Sequence, residues 1–161
     1  MHSGLKTIPR SKLGFLSPEV ISFLKRILPL LSGGSPVYVV GGFVRDALIG
    51  RQTRDLDLAV SCDPIALGRV LAGALDGAFV LLDDSRQISR VIVGEAGEKW
   101  QIDLTPIEGD IESNLGRRDF TIDAMGVSID DLLTQNWSDN VVDKFGGRID
   151  LEYGIVRAVT P

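Results

Sequence analysis

The sequence predicts an α+β fold: a mixed, mostly antiparallel sheet of about five strands flanked by helices. Three observations predict it. The stretch "VYVVGGFVRDALIGRQTRDLDLAV", Val37 to Val60, runs a strand into a glycine turn, a short helix and a second strand. The stretch "SRVIVGEAGEKWQIDLT" holds two apolar runs joined by "GEAGEK", the pattern of an antiparallel hairpin, so the sheet is not all parallel. Apolar residues at helical spacing recur in "SPEVISFLKRILPLLSGG" and again after Asp63.

The elements follow in order. Residues 1–16, with Gly4, Pro9 and Gly14, are expected to form a loosely held arm, and residues 17–161 a single domain. Ser17 as N-cap, Pro18 in the first turn, Glu19 near the positive end of the dipole and Gly33-Gly34 as the stop define a first helix. Its Val20, Ile21, Leu24, Ile27, Leu28 and Leu31 share a face, which describes a helix packed on a domain. After the strand "VYVV", the segment "GGFVRDALIG" is a turn and short helix closed by Gly50, and "LDLAV" is a strand. Asp63-Pro64 opens a helix through Leu75 whose apolar side is Ile65, Leu67, Val70, Leu71 and Leu75. "AFVLL" is a strand before the hairpin, and "PIEGDIESNLG" reads as a polar loop. "RRDFTIDAMGVSI" begins as a short helix and passes into a strand, and "FGGRIDLEYGIVRAV" gives a small helix or turn before a last strand.

Composition narrows the chemistry. At 161 residues, 44% hydrophobic and 24% charged, the chain can bury a core of its own. Cys62 is the sole cysteine and His2 the sole histidine, which excludes an internal disulfide, a multi-cysteine zinc site and a histidine triad. Acids, arginines and lysines must do the work. With 17 basic against 22 acidic residues the formal charge is -5, which argues against a broad phosphate-tracking surface. No apolar run approaches the roughly 20 residues needed to span a bilayer, and "MHSGLKTIPRSK" lacks a signal-peptide pattern, so a cytoplasmic, membrane-free protein is expected.

Asp55 and Asp57, two apart on a strand, project to one face. Two carboxylates so close either keep one proton or bind a divalent metal. In "WQIDLT" the alternation places Trp100, Ile102 and Leu104 opposite Asp103, which is either a third acid of that site or a plain exposed strand acid. Gly41-Gly42 lets backbone amides approach a ligand closely at a helix start, where anions are favoured, and Arg45 lies one turn on. Its guanidinium could clamp a phosphate with paired donors; the alternative is a tight turn with Arg45 and Asp46 as surface charges. Neither common phosphate loop, G-x-x-x-x-G-K-S/T or G-x-G-x-x-G, occurs.

"VVGGFVRDALIG", "RDLDLAV" and "RRDFTIDAM", in that order, resemble the signature segments of the catalytic head of the tRNA nucleotidyltransferase and poly(A) polymerase family. They look like those of class II of the CCA-adding enzymes, in the polymerase β superfamily, and the likeness runs from about Val37 to Val159. The resemblance implies a polymerase β-like head in which Asp55 and Asp57 bind two catalytic magnesium ions; Asp103 is the catalytic candidate for completing the site. It implies that Gly42 and Arg45 contact the triphosphate and Arg118 the nucleotide, with Arg117 and Asp119 holding the element in place; Gly41 and Asp119 are counted with the nucleotide-binding residues. The implied reaction is attack of a tRNA 3′-hydroxyl on the α-phosphorus of CTP or ATP, with release of pyrophosphate. A poly(A) polymerase, an A-only adding enzyme and an inactive nucleotide-binding module are the alternatives. Asp123 stands where the family usually has asparagine, Asn114 where an acid is common, and the loop from Thr105 to Gly116 is short. Family members continue past "YGIVRAVTP" into a neck that reads the base and domains that grip RNA, so a fragment of a longer enzyme is expected.

Overall fold

The computed structural model describes residues 14–31 and 33–160, so the first thirteen residues of the expected arm lie outside the described residues. Its last three are docked. The Gly14 and Phe15 N–H groups donate to the carbonyls of Leu48 and Ala47, and Leu16 is buried.

The elements are α1 (Pro18–Leu31), β1 (Val37–Val40), α2 (Gly42–Leu48), β2 (Asp55–Val60), α3 (Pro64–Ala74) and β3 (Ala78–Asp83). There follow β4 (Ile88–Glu95), β5 (Glu98–Pro106), α4 (Ile111–Leu115), β6 (Gly126–Ser128), α5 (Ile129–Leu132) and α6 (Gly147–Tyr153). The predicted caps form: the Val20 N–H donates to Ser17 Oγ at 3.2 Å, and Asp63 accepts from the N–H groups of Ile65 and Ala66. The six-stranded sheet has the order β3-β4-β5-β2-β1-β6, and only β2 and β5 run parallel. It carries one strand more than the expected count of about five.

The strand-to-strand register follows from the hairpin. Ala96 and Gly97, both at positive φ (50° and 80°), make a two-residue turn between β4 and β5, the conformation whose twist matches paired strands. One sheet face, with Leu56, Leu58, Val91, Val93, Ile102 and Leu104, is buried in the main core with α1, α2 and α3 side chains. There the rings of Phe23 and Trp100 stack with centroids 3.9 Å apart. On the other face a smaller cluster of Val40, Ala59 and Leu115 packs with Tyr38, Ile107, Ile111, Val142 and Phe145. That cluster lies beside the acids and braces β1 and β2 from the site's side.

Four local expectations change. Val70 is 57% exposed, because the buried stripe of α3 runs through Gly68, Leu71, Ala72 and Leu75. The segment expected as a polar loop contains α4: Asp110 caps it by accepting from the Ser113 N–H, and burial of Leu115 against β1 and β2 anchors it. "RRDFTID" holds only a 3₁₀ turn at Thr121–Asp123 instead of a short α-helix. The expected last strand shrinks to one bridge, Phe120 to Ala158, after α6. Among the described residues no helix is long and apolar enough to cross a membrane.

Candidate active site

Alternation along β2 buries Leu56 and Leu58 and leaves Asp55 exposed and Asp57 half-buried on the opposite face. Parallel pairing then sets Asp57 directly beside Asp103 of β5, and antiparallel pairing sets Asp103 beside Arg90 of β4. One row therefore crosses the sheet as Val40, Asp57, Asp103, Arg90 and Val80.

Arg90 reaches back along this row. Its Nε donates to Asp103 Oδ1 at 2.7 Å and its Nη2 to Oδ2 at 2.9 Å, a side-on pair that occupies both carboxylate oxygens. The bond to Asp103 raises the pKa of Arg90, and the charges of Asp55 and Asp57 add to the effect. Burial pushes the Asp57 carboxyl up from its ordinary value; Asp103 and Asp55 push the same way, while Arg118 and Arg90 oppose them.

The glycine turn lies on the other side of β2. Gly41 has φ 72° and ψ −137°, a conformation that side chains rarely adopt, and its N–H donates to the Met125 carbonyl. A Cβ there would stand 2.5 Å from Arg118 Nη1 and 3.3 Å from Asp57 Oδ2. Bare backbone at this point is what lets the Arg118 guanidinium lie over the turn, facing Asp57. Arg118 Nε is buried and has no hydrogen-bond partner in the protein. Such an orphaned donor fits an anionic ligand.

Arg45 is engaged. Its Nε donates to Asp46 at 3.0 Å and its Nη1 to Asp123 at 2.5 Å. Burial works against the charge, but the bonds and charges of Asp46 and Asp123 outweigh it and hold the pKa above the ordinary value. Arg117 pairs with Glu108. The Asp119 carbonyl accepts from the Val159 N–H, and the Thr121 N–H donates to the Arg157 carbonyl, so the last residues strap the arginine segment down. Asp150, 3% exposed, fastens the strap by accepting from Thr121 Oγ1 at 2.6 Å and from Arg157 through two nitrogens.

A cleft of about 430 Å³ brings together Gly42, Asp57, Arg117, Arg118, Asp119, Phe120 and Asp123. Asp55, Asp103, Gly41 and Arg45 do not line it; Gly41 lies against Arg118 and Asp57, Arg45 bonds Asp123, and Asp103 pairs with Asp57 through the sheet register. Among the described residues no group of three or more acid, histidine or cysteine side chains converges to hold a metal. Arg90 is the residue that sequence reasoning missed. Its signal was present: counting outward from a two-residue Ala96-Gly97 turn pairs Arg90 with Asp103.

The family model described as the poly(A) polymerase head domain matches residues 37–157. The chain is 36% identical over 147 residues to the CC-adding tRNA nucleotidyltransferase of Geobacter sulfurreducens, covering 87% of this chain and 32% of that protein. It is 37% identical over 122 residues to the A-adding tRNA nucleotidyltransferase of Deinococcus radiodurans, covering 76% of this chain and 25% of that one. The solved Thermotoga maritima CCA-adding enzyme complexed with tRNA aligns at a TM-score of 0.71 and 30% identity, over 89% of this chain and 33% of its own. A solved CCA-adding enzyme in complex with CTP aligns at 0.70 and 31% identity, over 89% of this chain and 33% of that one. The chain thus spans a quarter to a third of the length of these relatives. The matched residues take in the glycine turn, the paired aspartates and the arginine segment together, and the chain belongs to the poly(A) polymerase head-domain family of nucleotidyltransferases.

Proposed function

We propose that this domain catalyses addition of CMP and AMP, from CTP and ATP, to the 3′ end of tRNA, as the head of a longer protein. The observation that carries the reading is the juxtaposition at the Gly41 turn: Asp57 and Arg118, with its orphaned donor, both reach the same stretch of bare backbone.

Asp55 and Asp57 would hold the catalytic magnesium ions, which their shared strand face and the upward-shifted Asp57 carboxyl both favour. When bound, magnesium neutralises phosphate charge and lowers the pKa of the attacking hydroxyl. Arg118 takes the triphosphate through Nε and Nη1, and the Gly41-Gly42 backbone lets the phosphates approach at the start of α2. Arg45 adds positive charge from within α2, tempered by Asp46 and Asp123. Arg117 and Asp119 hold the segment that carries Arg118. Asp103, expected as a third carboxylate, has both oxygens taken by Arg90, so it adds partly neutralised negative charge beside Asp57 and is not a free ligand. Positioning and charge neutralisation then supply most of the rate, without a histidine.

The test is nucleotide transfer by the protein that carries this domain, using tRNAs that end before CCA, after the first C and after CC. Stepwise extension with release of pyrophosphate supports the reading, and loss of it in Asp55→Asn and Asp57→Asn, with unchanged circular dichroism, supports the metal assignment. Extension by A alone would identify an A-adding enzyme; no extension of any RNA would leave a nucleotide-binding module.

A further inference from the structure

The row of charged side chains across the sheet carries an inference about where the RNA lies. Arg118 and the glycine turn stand on the β1 side of Asp57, and Arg90 stands on the β4 side, beyond Asp103. Adjacent strands are about 4.8 Å apart, so Arg90 begins roughly 10 Å across the sheet from Asp57 and reaches back toward it. The metal-binding acids are thus flanked by a guanidinium on each side. A nucleotidyl transfer in line needs two substrates on opposite sides of the reacting phosphorus. If the triphosphate occupies the Arg118 side, the RNA 3′ end must come from the other.

The geometry of Arg90 suits it to that end. Asp103 binds Nε and Nη2, which fixes the plane of the guanidinium and leaves its outer edge, Nη1 and the second hydrogen of Nη2, unbonded. Those two parallel donors match two oxygens of a phosphodiester. The side chain is 30% exposed, so a strand passing over the sheet can reach it. We infer that Arg90, oriented by Asp103, binds a backbone phosphate near the 3′ end of the acceptor RNA and thereby presents the terminal hydroxyl to the acids. Asp103 is on this view a positioning residue.

The inference rests on the RNA-extending reading above, and a double-substitution cycle tests it separately. The full-length protein and its Arg90→Ala variant are titrated with a fluorescent tRNA acceptor helix, and with the same RNA carrying one neutral methylphosphonate in turn at each of the last three linkages. In the unaltered protein one neutral linkage should weaken binding about tenfold. Arg90→Ala should weaken binding of the natural RNA by a similar factor, lose no more at that linkage, and leave the KM for CTP unchanged. Arg90→Lys, which keeps charge but not the paired donors, replaces alanine should that variant fail to fold, and Asp103→Asn should lose part of the effect. Equal losses at every linkage in both proteins, or a raised KM for CTP with RNA binding intact, would overturn the contact. Binding is read apart from turnover. An inactive protein that still shows the cycle refutes nucleotide transfer and keeps the contact; an active one without it does the reverse.

Discussion

Gly41 is where the backbone and the site meet. Its φ of 72° and the 2.5 Å approach of Arg118 Nη1 to a would-be Cβ mean that alanine is strained twice over. Gly41→Ala should cost about 1 kcal/mol or more of stability and weaken triphosphate binding by displacing Arg118. Gly73→Ala is the contrast, since nothing lies within 4 Å there and the position is helical; it should stabilise by about 0.5 to 1 kcal/mol. Urea unfolding and CTP titration of both variants check this. Arg118→Ala should lose about 1.5 to 3 kcal/mol of triphosphate affinity, roughly tenfold to a hundredfold, while Arg51→Ala, an exposed residue away from the cleft, changes little. Asp123 already holds Arg45, so on the proposed reading it competes with the triphosphate for that guanidinium. Asp123→Asn should therefore tighten triphosphate binding by about 1 kcal/mol, roughly fivefold, and weaker binding would show that the carboxylate orients Arg45 productively.

At the level of elements, the arginine segment owes its position to its neighbours. Its 3₁₀ turn is a single turn long, and α6 with the chain that follows holds it, Asp150 bonding both Thr121 of the turn and Arg157. The bonds from Arg157 and Thr121 hold the Asp150 carboxyl below its ordinary value. A depressed folded-state pKa contributes stability that is present above the unfolded value, about 3.9, and is lost as pH falls through the lower folded value. Asp150→Asn should then destabilise the domain by a constant amount from pH 7 to about 5, and the gap to the unaltered protein should close as the pH drops below about 4. Unfolding free energies at a series of pH values measure it. A gap independent of pH would mean that Asp150 acts by shape alone.

For the whole molecule, the contacts proposed above are to phosphate and metal, and both are blind to the base. The 161-residue chain should bind CTP, ATP, GTP and UTP with magnesium at similar, weak affinity. With a formal charge of -5 it should also hold tRNA poorly at physiological salt. Calorimetry with the four nucleotides is the check. A tenfold preference for CTP and ATP, about 1.4 kcal/mol, would place base recognition within this domain.

The local chemistry was legible from residue order. Strand alternation put Asp55 and Asp57 on one face and Asp103 opposite Trp100, Ile102 and Leu104 without any knowledge of neighbours, because a period of two is a property of one strand. The caps at Ser17 and Asp63 were legible for the same reason: a cap is made within a few residues of the helix it ends. The pairing of segments far apart in the chain was another matter. Asp123 meets Arg45 across 78 positions, and Arg118 lies over Gly41 only because α4 forms and buries Leu115 under β1. "IESNL" is too short and polar to announce a helix; burial of Ile111 and Leu115 makes it one. Residue order thus settled which groups exist and which way each points along its own strand or turn. Long-range packing settled which of them face each other, because the free energy that joins β1, β2, α4 and the arginine segment comes from burying side chains that no local window contains.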